Sequence, residues 1–351
     1  MIPNKPTVRN SIETQISKYF PSKWTKKEIE KFIKYNPNID IYSLNLNLNT
    51  PIAEFIKSGG KRIRPTLFAN VLNIFDKKYS DYKELGFVIE LAHNATLMLD
   101  DIEDQSQTRR NKPTTYKKFG LDTAVNAGMT MHLMPLKIIE SLKHKLPTNT
   151  YNKIQQIYLE EMLNVSFGQA LDIYWHKNPT IKISKNNYLE MSKLKTGSLM
   201  RMSVRFATAI AEQNDKVETI FSNFAESIGI AFQIKDDILD LESKGGGKFG
   251  KAFGNDITEG KISLPVVITL GTANKTDKSK LINILQSHTK DKTKIKTAIS
   301  IINKYDSIKQ SEEIARQLVT KSLNILDKNM KNTTPMQKLK EIANFFVERQ
   351  H

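Results

Sequence analysis

Leu85-Gly86-Phe87-Val88-Ile89-Glu90-Leu91-Ala92-His93-Asn94-Ala95-Thr96-Leu97-Met98-Leu99 runs directly into Asp100-Asp101-Ile102-Glu103-Asp104. Leu85, Val88, Ile89, Ala92, Ala95 and Leu99 recur at the i, i+3, i+4, i+7 spacing of one helix face, so the stretch reads as a helix that ends in a row of acids. The arrangement returns further on. Phe221, Phe224, Ile228, Ile230, Ala231, Phe232 and Ile234, apolar nearly all round, lead into Asp236-Asp237-Ile238-Leu239-Asp240. A helix that is apolar on every side belongs inside a bundle. Runs with strict alternation and β-branched enrichment are scarce, so an all-α, single-domain helical bundle is expected.

The two acid rows carry the chemistry. On a helix the first and fifth residues lie one above the other, so Asp100 with Asp104, and Asp236 with Asp240, share a face. Carboxylates gathered at the end of an apolar run must meet cations or take up protons. Hard oxygen ligands suit Mg²⁺, which takes one or two carboxylates, keeps some water and completes its shell with phosphate oxygens. One such row is readily explained as a solvated acidic helix end. Two rows of like spacing behind similar apolar runs favour a metal-held diphosphate.

The remaining composition sets limits. The chain has 351 residues, 39% of them hydrophobic, which suffices for a sizeable core. No apolar stretch is long enough to cross a bilayer, and the start Met1-Ile2-Pro3-Asn4-Lys5-Pro6 lacks the apolar core of a secretory signal, so a cytoplasmic address is expected. The absence of cysteine excludes disulfides, thiolate metal sites and cysteine nucleophiles. No histidine pair has zinc-ligand spacing. The net charge of +16 suits anionic small molecules, an anionic membrane or nucleic acid. The lysines lack the basic stripe with interleaved aromatics that nucleic-acid binding needs, so most of that charge reads as solvated helix faces, and peripheral membrane contact stays open.

Residues 1–50 read as an N-terminal arm with an amphipathic helix from about Thr25 to Tyr35, followed by one domain over 51–351. Breaks fall near Lys57–Lys61, Gln105–Pro113, His144–Asn149, His176–Ser184, Ser243–Gly254 and Gly271–Lys280. Ser58-Gly59-Gly60-Lys61-Arg62-Ile63-Arg64-Pro65 sets cations beside flexible backbone and a helix start, an arrangement that suits an anion. Gln107-Thr108-Arg109-Arg110-Asn111-Lys112 follows the first acid row at once, where it can hold phosphate oxygens. Gly245-Gly246-Gly247-Lys248-Phe249-Gly250-Lys251-Ala252 approaches a P-loop but ends in Ala252 and follows no strand, so Lys248 or Lys251 reads better as closing over phosphate. Asp172-Ile173-Tyr174-Trp175-His176 is read as core.

Taken in order, Gly59-Gly60-Lys61-Arg62-Ile63-Arg64-Pro65, His93-Asn94-Ala95-Thr96, the first acid row, Arg109-Arg110, Lys195-Thr196-Gly197, Phe232-Gln233 with the second acid row, Gly250-Lys251, Gly254-Asn255-Asp256 and Gly260-Lys261 resemble the trans-isoprenyl diphosphate synthases, above all those making geranylgeranyl diphosphate. The resemblance implies an isoprenoid-synthase bundle with a central cavity, usually in a homodimer. By position it implies that Asp100, Asp104 and Asp236 ligate three Mg²⁺ ions, supported by Asp101, Asp237 and Asp240. It assigns Arg109, Lys195, Thr196, Gln233 and Lys251 to the allylic diphosphate, and Lys61, Arg64, His93 and Arg110 to isopentenyl diphosphate, with Lys261 at the metal side. Asn111 departs from the glycine common after the paired arginines.

The implied reaction is Mg²⁺-assisted departure of the allylic diphosphate, attack by the isopentenyl double bond and loss of a proton. Ala95 and Thr96, about one turn before Asp100, are small and set no early floor to chain growth, so a twenty-carbon product is expected. Met129, Met131, His132 and Leu133 are candidates for the deeper wall. Longer-chain synthases, a noncatalytic prenyltransferase subunit and a terpene cyclase are the rivals. The last two fit poorly because both acid rows are intact.

Overall fold

The computed structural model describes residues 6–242 and 254–348, and among them the regular structure is helical apart from one short hairpin, Thr108–Arg109 against Lys112–Pro113. Close contacts divide it into two compact units. One holds the residues up to Tyr158 together with Met202–Asn214, and the other holds Leu159–Arg201 and the residues from Asp215 onward. The helices Thr148–Lys177 and Ser198–Ile210 have residues in both.

In the first unit the Lys83–Glu103 helix is the axis. Leu85, Phe87, Val88, Ile89, Leu91, Ala92 and Ala95 are fully buried, because helices Pro6–Tyr19, Thr50–Lys57, Ile63–Ile74 and Leu121–Glu140 pack around it. Full burial of a leucine or phenylalanine side chain stabilises by roughly 1.5–3 kcal/mol. Gly128 lets Leu121–Glu140 approach closely: a Cβ there would stand 2.7 Å from Leu99. Arg62, in left-handed backbone (φ 50) at the head of Ile63–Ile74, ties the layers together. Its buried guanidinium donates to Glu90 at 2.7 Å and to Glu13 at 3.0 Å, and Asn94 donates to the same Glu90 carboxylate at 3.0 Å.

The N-terminal residues differ from expectation. Pro6–Tyr19 is a helix whose Val8, Ile12 and Ile16 lie in the core, so this segment is built into the first unit. The helix expected from Thr25 to Tyr35 is a single turn, Lys26–Ile29. The Thr25 and Glu28 capping box starts it, but Phe32 then turns inward to the rings of Tyr19 (5.9 Å) and Trp24 (6.0 Å), which ends the helical path.

In the second unit Asp215–Glu242 is the axis, with Phe221, Ala225, Ile228, Ala231 and Ile234 fully buried. Ser307–Asn329 packs along it, and Lys235 reaches Glu312 at 2.8 Å. Leu264–Thr272 and Thr334–Glu348 complete the packing, the latter through the edge-on pair Phe232 and Phe346.

Candidate active site

In the first unit the acid row occupies the C-terminal end of its helix. Asp100 is partly exposed and Asp101 is buried. Arg109 is brought back to them by the hairpin that follows: its Nε donates to Asp101 at 2.6 Å, and its Nη2 lies 3.6 Å from Asp100. Burial pushes the Asp101 carboxyl up to about 6, although Arg109 works against this, and the second Asp101 oxygen is buried with no hydrogen-bond partner. Burial opposes the Arg109 charge too, but the acids beside it hold its pKa above the ordinary value.

The hairpin turn places Arg110 (φ 53) and Asn111 (φ 63) in left-handed backbone. Asparagine tolerates that region better than most residues, which explains how the turn keeps its shape without glycine at 111. Arg110 donates to Ser58 Oγ at 3.1 Å and lies over the Phe55 ring. Gly60, at φ 143, leaves room for the guanidinium groups of Arg110 and Arg62, each 3.3 Å from where a Cβ would stand. Burial pushes Arg110 down to about 10, with Arg62 and Arg109 adding to the effect and Glu90 opposing it.

His93 feels this crowding most. Burial, then Arg64, Arg110, Arg109 and Arg62, drive its imidazole well below the ordinary value, so it is held neutral. Arg64 is buried and Lys61 is exposed. Ala95 is fully buried, and Thr96 bonds back to the His93 carbonyl at 2.8 Å. The first unit thus gathers cations on one side of the acid row, as an anion site requires. Met129 and Leu133 do not serve as deep wall. They are exposed on the Leu121–Glu140 helix, in a row with Leu121, Val125 and Leu136, whereas Met131 is buried and His132 bonds to the Gly128 carbonyl.

In the second unit the acid row ends Asp215–Glu242. Asp236 is half-buried, and Asp237 and Asp240 are buried. Asp237 accepts from Tyr188 at 2.5 Å, from Gln233 at 2.9 Å and from the Leu264 amide at 3.3 Å. Burial, then Asp256, pushes its carboxyl up to about 7, and burial lifts the Tyr188 hydroxyl well above its ordinary value. Thr196 donates to Gln233 at 2.8 Å, so Thr196, Gln233, Asp237 and Tyr188 form one chain of hydrogen bonds. Asp240 accepts from the Asp256 amide at 3.0 Å and anchors the short helix Asn255–Glu259. Lys261 follows that helix and pairs with Glu259 at 2.8 Å.

Lys195 and Thr196 stand on a wide π-type turn, Lys193–Gly197, inside a helical run. Such turns recur at functional sites because they redirect side chains. Two glycines make space for it. A Cβ on Gly168 would lie 2.3 Å from the Lys195 amide nitrogen, and one on Gly229 would lie 2.8 Å from Gly197 Cα. Lys195 pairs with Asp172 at 2.5 Å, so that residue belongs with the basic site and not with the core as expected. Of its neighbours Trp175 is buried and Tyr174 is exposed.

Sequence reasoning gave no role to Arg62, Glu90, Asp172, Tyr188, Gly168 or Gly229. Arg62, Glu90 and Asp172 lay in stretches that had been singled out, and Tyr188, Gly168 and Gly229 did not. Lys251, Lys248 and the near P-loop lie outside the described residues.

Among the described residues no three acidic or histidine side chains close into a metal cage of their own. The donor set still fits Mg²⁺, which completes its shell with water and phosphate oxygens: carboxylates are the available ligands, and the buried, unsatisfied Asp101 oxygen shows a site short of positive charge.

Helix-borne acid rows with basic side chains in the same units suit an anion such as diphosphate held with a divalent ion. The polyprenyl synthetase family profile matches residues 45–302, and the chain belongs to that family. It is 32% identical over 293 residues to the geranylgeranyl diphosphate synthase of Sulfolobus acidocaldarius, covering 83% of this chain and 88% of that protein. Identity to the short chain isoprenyl diphosphate synthase of Methanocaldococcus jannaschii is 33% over 248 residues, covering 70% and 73%. The crystal structure of geranylgeranyl pyrophosphate synthetase from Pyrococcus horikoshii matches with a TM-score of 0.82 at 27% identity, over 97% of this chain and 96% of that one. This chain is accordingly a trans-isoprenyl diphosphate synthase.

Proposed function

We propose that the enzyme condenses isopentenyl diphosphate with an allylic diphosphate and releases geranylgeranyl diphosphate. The observation that carries the reading is that each acid row is held by groups suited to a diphosphate: Arg109 pairs with Asp100 and Asp101, and Gln233, bonded to Thr196 next to Lys195, donates to Asp237. Asp100, Asp104 and Asp236 would hold Mg²⁺, three ions by family likeness, with Asp101, Asp237 and Asp240 behind them. Bound Mg²⁺ supplies the positive charge that stabilises the departing diphosphate.

The chain's own residues do the rest. Arg109, Lys195, Thr196, Gln233, Lys251 and Lys261 orient the allylic diphosphate and neutralise charge as its carbon–oxygen bond lengthens. Lys61, Arg64, Arg110 and neutral His93 hold isopentenyl diphosphate so that its double bond meets the allylic carbon. Apolar walls exclude the water that would quench the cation. Ala95 and Thr96 leave room for growth to twenty carbons.

Residues 51–351 form one synthase domain in this reading, with residues 1–50 as its N-terminal arm. The working form is a homodimer in the cytoplasm. Exposed apolar stripes support the dimer: Leu121, Val125, Met129, Leu133 and Leu136 in the first unit, and Leu159, Leu163, Phe167, Leu171 and Tyr174 in the second. No described helix is long and apolar enough to cross a membrane.

The test is incubation with labelled isopentenyl diphosphate and dimethylallyl, geranyl or farnesyl diphosphate, with Mg²⁺ or chelator, followed by chromatography. Mg²⁺-dependent twenty-carbon product is expected from all three starters. Failure to elongate any of them contradicts the proposal.

A further inference from the structure

Residues 21–49 form a looped excursion within the first unit, and their base is tied. Trp24 N–H donates to Asn45 Oδ1 at 2.6 Å, Asn45 Nδ2 donates to the Trp24 carbonyl at 2.9 Å, and Asn49 Nδ2 donates to the Pro21 carbonyl at 3.1 Å. Trp24 and Ile29 are buried and Phe32 packs against Trp24, so the excursion is a built element with fixed ends. Most of it precedes the residues matched by the family.

What it presents to solvent is mixed in an informative way. Ile33, Tyr42 and Leu46 are 53%, 73% and 48% exposed. Tyr42 and Leu46 are four residues apart in the helical run that starts at Ile41, while Asn45 and Asn49 of the same run hold the base. Between residues 23 and 35 the chain carries five lysines against two glutamates, and Lys23, Lys27 and Lys34 are exposed. Apolar side chains that enter a lipid interface, flanked by lysines that meet anionic headgroups, are the features of a surface that lies on a membrane. The lysine excess suits anionic headgroups and opposes docking of a second copy of this chain, whose net charge is +16.

We propose that the 21–49 excursion docks the enzyme on an anionic lipid membrane, with Ile33, Tyr42 and Leu46 entering the interface and Lys23, Lys27 and Lys34 facing the headgroups. The contact is peripheral, and it uses none of the residues assigned to diphosphates or metal. Its test reads binding, so it stands or falls apart from the synthase reading.

The experiment is flotation of the full-length protein with vesicles of phosphatidylcholine alone or mixed with phosphatidylglycerol, at low and high salt, alongside light scattering. Wild type is expected to float with the mixed vesicles and to be released by salt. The triple changes Ile33→Ser, Tyr42→Ser, Leu46→Ser and Lys23→Glu, Lys27→Glu, Lys34→Glu are each expected to lower the bound fraction about tenfold or more. Their circular-dichroism melts and their turnover of short soluble starters should match wild type. Wild type that stays unbound, or variants that float like wild type, would overturn the proposal. So would an apolar triple variant that floats normally but has lost an oligomer in light scattering, since the surface would then join two copies of the chain.

Discussion

His93 stands where Arg62, Arg64, Arg109 and Arg110 all oppose a further positive charge, and burial opposes it more. Its folded-state pKa is therefore below its unfolded one, and the sign follows: the stability tied to neutral His93 is fully present above about pH 6.5 and declines as the pH falls below that, where the unfolded chain takes up a proton. In ligand-free enzyme the His93 ring should show no titration step near 6.5 by NMR, and His93→Gln should lessen the loss of melting temperature between pH 7.5 and 5.5. A normal midpoint for the ring would contradict this picture. Tyr188 acts on Asp237 in the second unit: its hydrogen bond lowers a carboxyl that burial raises to about 7. Tyr188→Phe removes that help, so the acid limb of the rate should move to higher pH and the melting temperature should fall, by roughly 1.5–3 kcal/mol of stability for a hydrogen bond to a charged group. Unchanged melt and profile would show that the Tyr188 bond is idle. The acids and basic residues were legible because their spacing repeats and their charges stand out from apolar runs. Tyr188 was not, since nothing in Asn187-Tyr188-Leu189 reveals that its hydroxyl reaches a carboxylate 49 positions away.

At the scale of elements, the two acid-bearing helices were readable from periodicity alone. Leu85 to Leu99 and Phe221 to Ile234 are apolar on enough sides that only a buried helix accommodates them. The Pro6–Tyr19 helix had a signal that was passed over: Val8, Ile12 and Ile16 fall four apart, but a single narrow row among polar residues is weak beside a full apolar face. The wide turn Lys193–Gly197 was invisible, because Lys195-Thr196-Gly197 reads as ordinary helix and the glycines that make room for it lie on other helices. Gly168→Ala tests that packing. The new methyl would meet backbone, which cannot swing aside like a side chain, so the turn must shift and carry Lys195 and Thr196 with it. A loss of about 1–3 kcal/mol from overpacking is expected, with a fall in kcat/KM larger than the change in stability explains. An active, equally stable Gly168→Ala enzyme would contradict the role given to the turn. Ala95→Phe addresses product length: a large ring at this buried site should shorten the product, and an unchanged product would place the chain's path elsewhere.

At the scale of the whole molecule, composition and periodicity foretold an all-helical chain, and family membership follows from the profile and the relatives. The division into two compact units was not legible, since no linker marks it and the helices Thr148–Lys177 and Ser198–Ile210 have residues in both. The exposed stripes were partly legible: Met129 and Leu133 stood out as apolar, but periodicity alone does not tell an inner wall from an outer face. The account rests on one proposal at this scale, that both acid rows act on diphosphate through Mg²⁺. The most direct measurement is a crystal structure of the enzyme with Mg²⁺ and an unreactive allylic thiolodiphosphate. The account predicts Mg²⁺ at Asp100 and Asp104 and at Asp236, with phosphate oxygens completing its shell. A diphosphate bound by one row alone, or away from both, would contradict it.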